Sequence, residues 1–488
     1  MVYCNTVLEN ALPVNISQLV SCLKDAGFEV GLFDTTFYRW SLSSAQENRI
    51  KALQIRPFPL DQFNEGDVFQ DFIKKINDFK PHLIGFSVIE PTLIFSMKLL
   101  ETAREIIKTN KIKVAVGGVH VIIAPHTIAK YDIVDYICIS EGEMAFIELC
   151  RRLANGDDVD NSKGFWVRKG DSWLQNPKAD LVDINLLPPL DFSLFSKKFL
   201  VKPMTGKMYN TITIETTRGC PYRCTYCAET VLKNIFKNQG RWYREKTLRK
   251  VFAELAEAIK IYNAEYLYII SDSFAAGKTE RLKEFCERYN SCKLPFWFNT
   301  RPEDIDEEKA MLVKEAGCHR ISIGLEHGNE KFRKVVLKRY GSNEKVARAG
   351  DILREYELLF SVNIILGFPG ETREMVFDTI EMVRRLKSDS VSTCIFNPYH
   401  GTGLRDICIK KGYIQEDLIA EDIFQNDYLL KDNSLSKEEV LGLFRTIPLY
   451  VEFPKSAYKR IETAEKLDNE GNRVFEELKK EFYQLKGW

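Results

Sequence analysis

Short apolar runs alternate with amphipathic segments through the first 155 residues, and this alternation indicates strands connected by helices. The helix after the first run ends at Gly27, and a last helix opens with acidic residues and ends at Gly156. The five runs that predict strands are VYCNT at 2–6, EVGLFDTT at 29–36, HLIGFSVIE at 82–90, KVAVGGVH at 113–120 and VDYICIS at 134–140. The pattern predicts an α/β fold that begins with a doubly wound, Rossmann-like parallel sheet.

The pattern changes after residue 160 and then becomes a repeat. Residues 161–205 contain a predicted hairpin that turns at 169–171 and a proline-rich connector, LLPPLDFSLF. A strand and a helix then recur six times, with strands at 211–216, 265–272, 295–300, 320–326, 361–368 and 389–396. Six right-handed units curl toward a barrel, but eight are needed to close one. We therefore expect an open, partial (β/α)6 TIM-like barrel.

These changes predict four segments along the chain. They are a Rossmann-like domain at 1–160, a hairpin and linker at 161–205, the partial barrel at 206–413 and a small helical C-terminal region at 414–488. The first strand begins almost at Met1, where such a domain usually has several earlier residues. We therefore predict that the native start lies upstream of Met1.

The charge balance and hydropathy argue against several classes of partner. The 488 residues include 69 Lys and Arg and 69 Asp and Glu, so no global field attracts nucleic acid or an anionic membrane. The most apolar stretch, 83–100, is interrupted by Glu90, Pro91 and Lys98, and the N-terminus has no signal-peptide pattern. We expect a cytoplasmic protein with no transmembrane segment and no nucleic acid partner.

Three of the twelve cysteines, Cys220, Cys224 and Cys227, lie close together in TTRGCPYRCTYCAE (216–229), directly after the first barrel strand. Structural zinc needs four ligands, usually with a second cysteine pair, and a disulfide is unexpected in a reducing compartment. An iron–sulfur cube fits better, because three cysteines leave one iron free to bind something else. The alternative is a group of incidental buried thiols, as we interpret the nine scattered cysteines.

The motif C-x3-C-x2-C with an aromatic residue before the last cysteine resembles the signature of the radical S-adenosylmethionine enzymes, and RGCPYRCTYC matches it without deviation. The resemblance implies that Cys220, Cys224 and Cys227 hold a 4Fe-4S cluster whose fourth iron binds S-adenosylmethionine. Cleavage of that molecule would yield methionine and a 5'-deoxyadenosyl radical that takes hydrogen from the substrate. Tyr226 would shield the cluster and border the adenine.

The resemblance extends to loops that follow the later barrel strands. It implies that Ser271 and Asp272 surround the methionyl amine and that Arg301 binds the methionyl carboxylate. Glu326 would accept hydrogen bonds from the ribose. A surface ion pair is the alternative for Arg301, and His327 stands where relatives have serine, so its role is unassigned.

A glycine-containing loop, ILGFPGET (365–372), matches the segment that contacts adenine in the same family. The resemblance implies that Gly367 and Phe368 lie against the adenine, because glycine permits close backbone approach. Plain turn chemistry is the alternative explanation for these glycines.

The strand ends of the N-terminal domain form the expected ligand edge of an open parallel sheet. No G-x-G-x-x-G follows the first strand, which argues against a nicotinamide or flavin dinucleotide. The segments VGGVH and SEGE, ahead of such a barrel, resemble the cobalamin-binding subfamily and imply a corrinoid between the two domains. The residues that we expect to border it are Ser87, Glu90, Gly118, His120 and Glu141.

None of the six histidines stands in a D-x-H-x-x-G loop, so we predict no histidine–cobalt bond. Some relatives keep the domain but have lost cobalamin, and that alternative stays open. His120 could equally be a capping or buried histidine.

The resemblance implies a radical enzyme, and we favour methylation of an unactivated carbon in a small-molecule or lipid-like substrate. One S-adenosylmethionine would methylate cobalamin and a second would supply the radical, with electrons from a donor such as flavodoxin or ferredoxin. The alternatives are non-methylating chemistry, such as oxidative cyclisation or ring rearrangement, and a noncatalytic corrinoid or iron–sulfur carrier. A methylthiotransferase is disfavoured because the first domain lacks a second cysteine triad. No residue is assigned as catalytic.

Overall fold

The computed structural model describes residues 1–9, 11–41, 44–60, 62–420 and 427–488. Two seven-stranded sheets organise these residues, one in the N-terminal part of the chain and one in the C-terminal part. The predicted C-terminal region at 414–488 includes residues 421–426, which lie outside the described residues. No helix among the described residues combines the length and the apolar composition needed to cross a bilayer.

The N-terminal sheet has the strand order β2-β1-β3-β4-β5-β6-β7. The first five strands are parallel, and the hairpin β6–β7 joins them antiparallel at one edge. The chain order reverses between β1 and β3, so this sheet has its switch point there. The strands are β1 (Val2–Tyr3), β2 (Phe33–Asp34), β3 (Leu83–Ser87), β4 (Lys113–Gly117), β5 (Tyr136–Cys138), β6 (Phe165–Lys169) and β7 (Ser172–Gln175).

Helices cover both faces of this sheet, because successive residues of each strand point to opposite faces. On β4, Val114 and Val116 belong to the apolar core under α3 and α4, whereas Ala115 belongs to the core under α1 and α8. The helices are α1 (Val14–Asp25), α2 (Ala45–Lys51), α3 (Val68–Phe79), α4 (Leu93–Thr102), α5 (Arg104–Thr109), α6 (Val119–Ile123), α7 (His126–Ala129) and α8 (Gly142–Asn155). The predicted doubly wound sheet is therefore confirmed.

The C-terminal sheet is an open, partial barrel with the order β16-β15-β14-β13-β12-β9-β8. Six of its strands are parallel and β8 adds antiparallel at the edge, while β10 and β11 form a separate ribbon. The strands are β8 (Val201–Met204), β9 (Lys207–Glu215), β10 (Thr217–Arg218), β11 (Arg244–Glu245), β12 (Tyr266–Ile270), β13 (Phe296–Thr300), β14 (Cys318–Glu326), β15 (Leu359–Leu366) and β16 (Ser390–Ile395). All six predicted barrel strands are present.

Helices follow the barrel strands and then form the C-terminal region. Side-chain caps begin several of them, for example Thr247 before α10 and Thr372 before α15. The helices are α9 (Ala228–Ile235), α10 (Leu248–Tyr262), α11 (Thr279–Tyr289), α12 (Glu307–Glu315), α13 (Glu330–Val335), α14 (Asn343–Glu355), α15 (Arg373–Leu386), α16 (Gly403–Lys410), α17 (Lys437–Glu452), α18 (Tyr458–Glu465) and α19 (Asn469–Lys486).

The two faces of the partial barrel differ in chemistry. The outer face carries buried apolar residues that pack on the helices, such as Ile269, Phe298 and Val362. The inner face carries polar and aromatic residues that pair across strands, namely Thr213, Tyr268, Trp297, Asn299, Ser322, Ser361, Asn363 and Ser392. Tyr268, Asn299 and Asn363, on inner strands of the sheet, and Ser392, on the edge strand β16, remain partly exposed. The inner face therefore lines an open lumen, unlike the packed interior of a closed TIM barrel.

The N-terminal part of the chain also covers the free edge of the barrel at β16. The Gln54 side chain donates a hydrogen bond to the backbone carbonyl of Thr393 at 2.9 Å. Ala52 and Leu53 belong to the same apolar core as the barrel strands. Because an uncovered strand edge invites pairing with other chains, this contact protects the barrel as well as joining it to the first sheet.

Candidate active site

The cysteine loop begins where β9 and β10 end, at the carboxyl edge of the barrel. Gly219 has a φ of +83°, and a Cβ there would lie 2.5 Å from the Trp242 carbonyl oxygen. Only glycine fits such a left-handed, crowded position, so the chain turns tightly before Cys220. Cys227 then precedes α9 as its N-cap residue, and Thr230 donates to the carbonyl of Cys224 at 2.8 Å.

The three cysteines are free thiols on one loop. Among the described residues, the one group of three possible ligand atoms that all lie within 4.8 Å of one another is Glu90, His120 and His400, so the three cysteine sulfurs are not all that close together. Burial raises the pKa of Cys220 to about 12, so binding as a thiolate requires a strong compensating positive charge. Three soft thiolates on one loop fit an iron–sulfur cluster better than a structural zinc ion, which takes four protein ligands.

A buried arginine lies beside the central cysteine. The Arg339 Nη1 atom is 3.9 Å from the Cys224 Sγ, 3.3 Å from the Tyr226 Oη and 3.6 Å from the Glu326 Oε1. Glu326 has a φ of +64° at a register shift in β14, which is a strained conformation for a residue with a side chain. The structure thus brings Tyr226 and Glu326 to the cysteine loop, as predicted, and adds Arg339, which no sequence motif indicated.

The residues predicted to bind the methionyl group lie around the next two strand ends. Ser271 is buried, and its hydroxyl lies 2.6 Å from the Thr217 hydroxyl. The Asp272 side chain is open to solvent, yet the surrounding protein and the charge of Glu215 raise its pKa to about 6. A side chain that is both enclosed and solvent-accessible lines a cleft. The predicted binding roles of Ser271 and Asp272 stay predictions.

Arg301 is buried rather than part of a surface ion pair. Its Nε atom lies 3.2 Å from a Glu303 carboxylate oxygen, and its guanidinium stacks 3.8 Å above the ring of Tyr222. Some of the hydrogen-bond donors of the Arg301 guanidinium are therefore already occupied by Glu303. Its role toward a methionyl carboxylate stays a prediction.

The glycine loop after β15 is held by the carboxylate of Glu371. The backbone amides of Gly367 and Phe368 donate to the Glu371 carboxylate at 2.5 and 3.1 Å. The other oxygen of Glu371 lies 3.0 Å from the Nε2 atom of His327, which is completely buried. The structure thereby places His327, whose role the sequence left unassigned, beside the carboxylate that holds this loop, although its Nε2 atom makes no hydrogen bond among the described residues.

Aromatic packing links this glycine loop to the cysteine loop. The Phe368 ring lies 5.8 Å from the Tyr226 ring, between their centroids, and Phe368 is completely buried. The Asn433 side chain donates to the Phe368 carbonyl at 3.0 Å, so the C-terminal region also supports the loop. A contact between adenine and this loop would therefore involve its backbone more than the Phe368 ring.

At the switch-point edge of the N-terminal sheet, two backbone segments pack closely and apolar side chains are exposed. Ile89 follows β3 and Val119 follows β4, and both are about 40% exposed. Ser87, at the end of β3, accepts a hydrogen bond from Asn15 at 3.3 Å. Gly118 has a φ of +108°, and a Cβ there would lie 2.5 Å from the Val88 carbonyl oxygen. These residues form an open apolar edge at the strand ends, where an open parallel sheet binds its ligands.

Replacing Gly118 by alanine is expected to destabilise the protein by about 2–4 kcal/mol, because the new Cβ adds left-handed strain to a backbone clash. Gly156→Ala is the matched control, since Gly156 also has a positive φ, of +74°, but has open space around it. The control should lose about 1 kcal/mol. Thermal unfolding followed by circular dichroism measures both, and equal losses would contradict the proposed crowding at Gly118.

Two of the residues predicted to border a corrinoid, Glu90 and His120, instead form a buried network with the barrel. The Glu90 carboxylate accepts from the backbone amide of His400 at 2.8 Å, and its other oxygen is 2.8 Å from the His400 Nδ1. His120 lies 3.5 Å from Glu90, and Arg405 lies 3.7 Å from it. The spacing of Glu90, His120 and His400 could accommodate a metal ion, but Arg405 already supplies the positive charge. Contact of Glu90 and His120 with a corrinoid stays a prediction.

A second set of charges joins the same two edges. Glu141, also predicted to border a corrinoid, accepts both guanidinium ends of Arg244, at 2.6 and 2.9 Å. Arg218 donates to Glu143 at 2.6 Å and to Glu215 at 3.0 Å. Bidentate arginine–carboxylate pairs of this kind fix orientation as well as charge. The carboxyl edges of the two sheets therefore face each other beside the cysteine loop, since Arg218 lies two residues before Cys220.

Comparisons with known proteins agree with this arrangement. Residues 2–150 match the B12 binding domain, and residues 214–383 match the Radical SAM superfamily. The uncharacterized methyltransferase PH0819 of Pyrococcus horikoshii is 23% identical over 356 residues, covering 72% of this chain and 74% of its own. The anaerobic magnesium-protoporphyrin IX monomethyl ester cyclase of Rubrivivax gelatinosus is 24% identical over 346 residues; the match covers 68% of this chain but only 60% of the cyclase.

The fold also matches a solved structure over nearly the whole chain. The cobalamin-dependent S-adenosylmethionine radical enzyme OxsB, with aqua-cobalamin and S-adenosylmethionine bound, superposes with a TM-score of 0.65 at 16% identity. The match covers 99% of this chain and 71% of OxsB. At that identity the likeness concerns the fold alone.

A B12-binding sheet joined to a partial barrel with the C-x3-C-x2-C loop defines a class of enzyme. The chain belongs to the cobalamin-binding radical S-adenosylmethionine enzymes. Its cofactors are a 4Fe-4S cluster, S-adenosylmethionine and cobalamin. The three thiols and the open apolar edge fit these groups, as does the Arg339 Nε, a buried donor without a hydrogen-bond partner among the described residues.

Proposed function

We propose that this enzyme uses its cofactors to transfer a methyl group to an unactivated carbon of a small molecule. The observation that carries the proposal is that the cysteine loop and the B12-binding edge face each other, above an open lumen. The pairs Glu90–His400 and Glu141–Arg244 hold that geometry. The similarity to PH0819, which is named a methyltransferase, supports methyl transfer.

The substrate would enter the lumen of the partial barrel. Tyr268 and Asn299 are hydrogen-bonded to each other at 2.7 Å there, and Asn363 and Ser392 pair across the next strands. All four remain partly exposed, so they can offer hydrogen bonds to a ligand. This lining favours a small molecule with polar groups over a purely hydrocarbon lipid chain.

In this proposal the cluster and S-adenosylmethionine supply the radical, and cobalamin supplies the methyl group. The protein would position these three groups and the substrate, and it would exclude water from them. Cys220, Cys224 and Cys227 would hold the cluster, while Glu326 and the loop at 367–370 would orient the nucleoside. The facing edges of the two sheets would keep the reacting groups close together. Holding reactants in the correct geometry lowers the entropic part of the activation barrier.

The test is an anaerobic incubation of the reconstituted protein with S-adenosylmethionine, hydroxocobalamin and a low-potential reductant. Methyl transfer predicts that both 5'-deoxyadenosine and S-adenosylhomocysteine form, and that S-adenosylhomocysteine disappears when cobalamin is left out. The Cys224→Ala variant should form no 5'-deoxyadenosine. Formation of 5'-deoxyadenosine without S-adenosylhomocysteine would contradict methylation.

A second candidate function is radical chemistry without methyl transfer, such as an oxidative cyclisation. The similarity to the Rubrivivax gelatinosus cyclase favours it, although this chain spans only three fifths of that protein. The same incubation distinguishes the two, since a cyclisation yields the radical product alone. A noncatalytic carrier would yield neither product.

We also propose the remaining features that the sequence indicated. The electron donor would be a small low-potential protein such as flavodoxin or ferredoxin, and the enzyme would work in the cytoplasm without nucleic acid. The domain boundaries would lie at 160, 205 and 413, between the elements described above. Ser271, Asp272 and Arg301 would contact the methionyl group, while Ser87, Gly118 and Glu141 would lie nearest the corrinoid.

A further inference from the structure

Arg339 is the cation closest to a cysteine sulfur among the described contacts. Its side chain is only 4% exposed, and one of its nitrogens, Nη1, points at the Cys224 Sγ from 3.9 Å. Its second terminal nitrogen donates to the carbonyl of Gly324, which holds the guanidinium in place. A buried, fixed guanidinium acts on a neighbouring sulfur much more strongly than a mobile surface charge does.

Two other arginines near the cysteine loop, Arg218 and Arg301, are paired with carboxylates, whereas Arg223 of the loop itself is exposed to solvent, which screens its charge. Arg218 lies against Glu143 and Glu215, and Arg301 lies against Glu303 and the ring of Tyr222. Their fields at the cysteines are therefore largely cancelled.

Arg339 keeps more of its charge for the cysteine loop. Its ion pair is with Glu326, at 3.6 Å, and the Tyr226 hydroxyl lies 3.3 Å from it, while the Glu303 carboxylate acts on it without forming an ion pair among the described residues. Its Nε atom is buried and has no hydrogen-bond partner among the described residues. An unsatisfied buried donor costs about 1–3 kcal/mol, which a hydrogen bond to a bound group would offset.

We propose that Arg339 is a positioning residue that raises the reduction potential of the 4Fe-4S cluster, through its charge and through a hydrogen bond to the Cys224 sulfur. One electron from a low-potential donor adds one negative charge to the cluster, and a nearby guanidinium stabilises the more negative form. Hydrogen bonds to the sulfurs and net charge are established controls of such potentials. The proposal holds for any reaction that the enzyme carries out, because it concerns the reduction step alone.

The test is a potentiometric titration of the reconstituted cluster, followed by electron paramagnetic resonance, without S-adenosylmethionine, cobalamin or substrate. Arg339→Gln should lower the ratio of reduced to oxidised cluster tenfold at a fixed potential, which is 59 mV for a one-electron couple. Lys338→Gln is the matched control, because it removes one positive charge from the exposed neighbouring residue. The control should change the ratio less than twofold.

Glu326→Gln provides an independent arm with the opposite sign. It removes the carboxylate that partly cancels the Arg339 charge, so the ratio of reduced to oxidised cluster should rise about threefold. General damage to the site would not move the two variants in opposite directions, and iron analysis reports such damage directly. If the Arg339→Gln protein does not retain iron, the change in reduction potential of the Glu326→Gln protein tests the proposal. An unchanged potential in the iron-loaded variants, or a shift of the same sign in both, would overturn the proposal.

Discussion

Replacing Cys224 by alanine is expected to remove the iron–sulfur cluster and with it all cleavage of S-adenosylmethionine. Cys224 is the most buried of the three cysteines, at 8% exposure, and its backbone carbonyl is fixed by Thr230. Two remaining thiolates cannot hold a cube that already lacks a fourth protein ligand. The iron content should fall from about four atoms per chain to nearly none. Iron analysis and the loss of the brown colour measure this change.

The matched control for this prediction is Cys286→Ala. Cys286 is a buried thiol in α11, only 3% exposed, and it belongs to the apolar core of the barrel. Its removal should cost about 1 kcal/mol of stability and leave the iron content unchanged. A Cys224→Ala protein with the iron content of the Cys286→Ala protein would contradict the assignment of the triplet.

Glu90→Ala is expected to have the largest effect on stability, a loss of about 3–5 kcal/mol at neutral pH. The Glu90 carboxylate accepts a hydrogen bond from the backbone amide of Ala420 and contacts the rings of His400 and His120. The Arg405 guanidinium lies beside it. Removing one partner from a buried charged network leaves the other groups without compensation. Because His400 belongs to the barrel and Glu90 to the first sheet, the loss should also loosen the contact between them. Thermal unfolding at pH 7 measures it.

The same network predicts how stability depends on pH. Burial alone would raise the pKa of Glu90, but hydrogen bonds from His120 and His400 outweigh it and lower the pKa from 4.5 to about 2. The stabilisation is therefore complete above pH 4.5 and is lost as the pH falls from 4.5 toward 2. The difference between the wild type and Glu90→Ala should shrink over that range.

Glu148→Ala is the matched control for the Glu90 variant. Glu148 pairs with Arg152 on the surface of α8, with 52% of its side chain exposed, so its loss should cost less than about 0.5 kcal/mol. Equal effects of the two substitutions, or a Glu90 effect that persists unchanged at acid pH, would show that the buried network does not stabilise the contact between the sheets.

The elements of the fold were predictable because their signals are local. A buried parallel strand needs a continuous apolar run and its helix needs a 3.6-residue period, and both can be read within about ten residues. The strand ends were less predictable. HLIGFSVIE was predicted as one strand through Glu90, but β3 ends at Ser87 and Glu90 begins a short 3-10 turn. Likewise β4 ends at Gly117, and α6 begins at Val119.

The sequence by itself determined the fold class and the cysteine triplet, because cluster ligands on one loop are close in sequence as well as in space. The tertiary structure decided which distant groups reach that loop. Arg339 meets Cys224 across 115 residues of chain, and His400 meets Glu90 across 310. The first contact depends on how the barrel strands are arranged and the second on how the two sheets face each other, and no local pattern encodes either. The same holds for the polar lumen, since its openness follows from strand register and from a barrel that stops at six parallel strands.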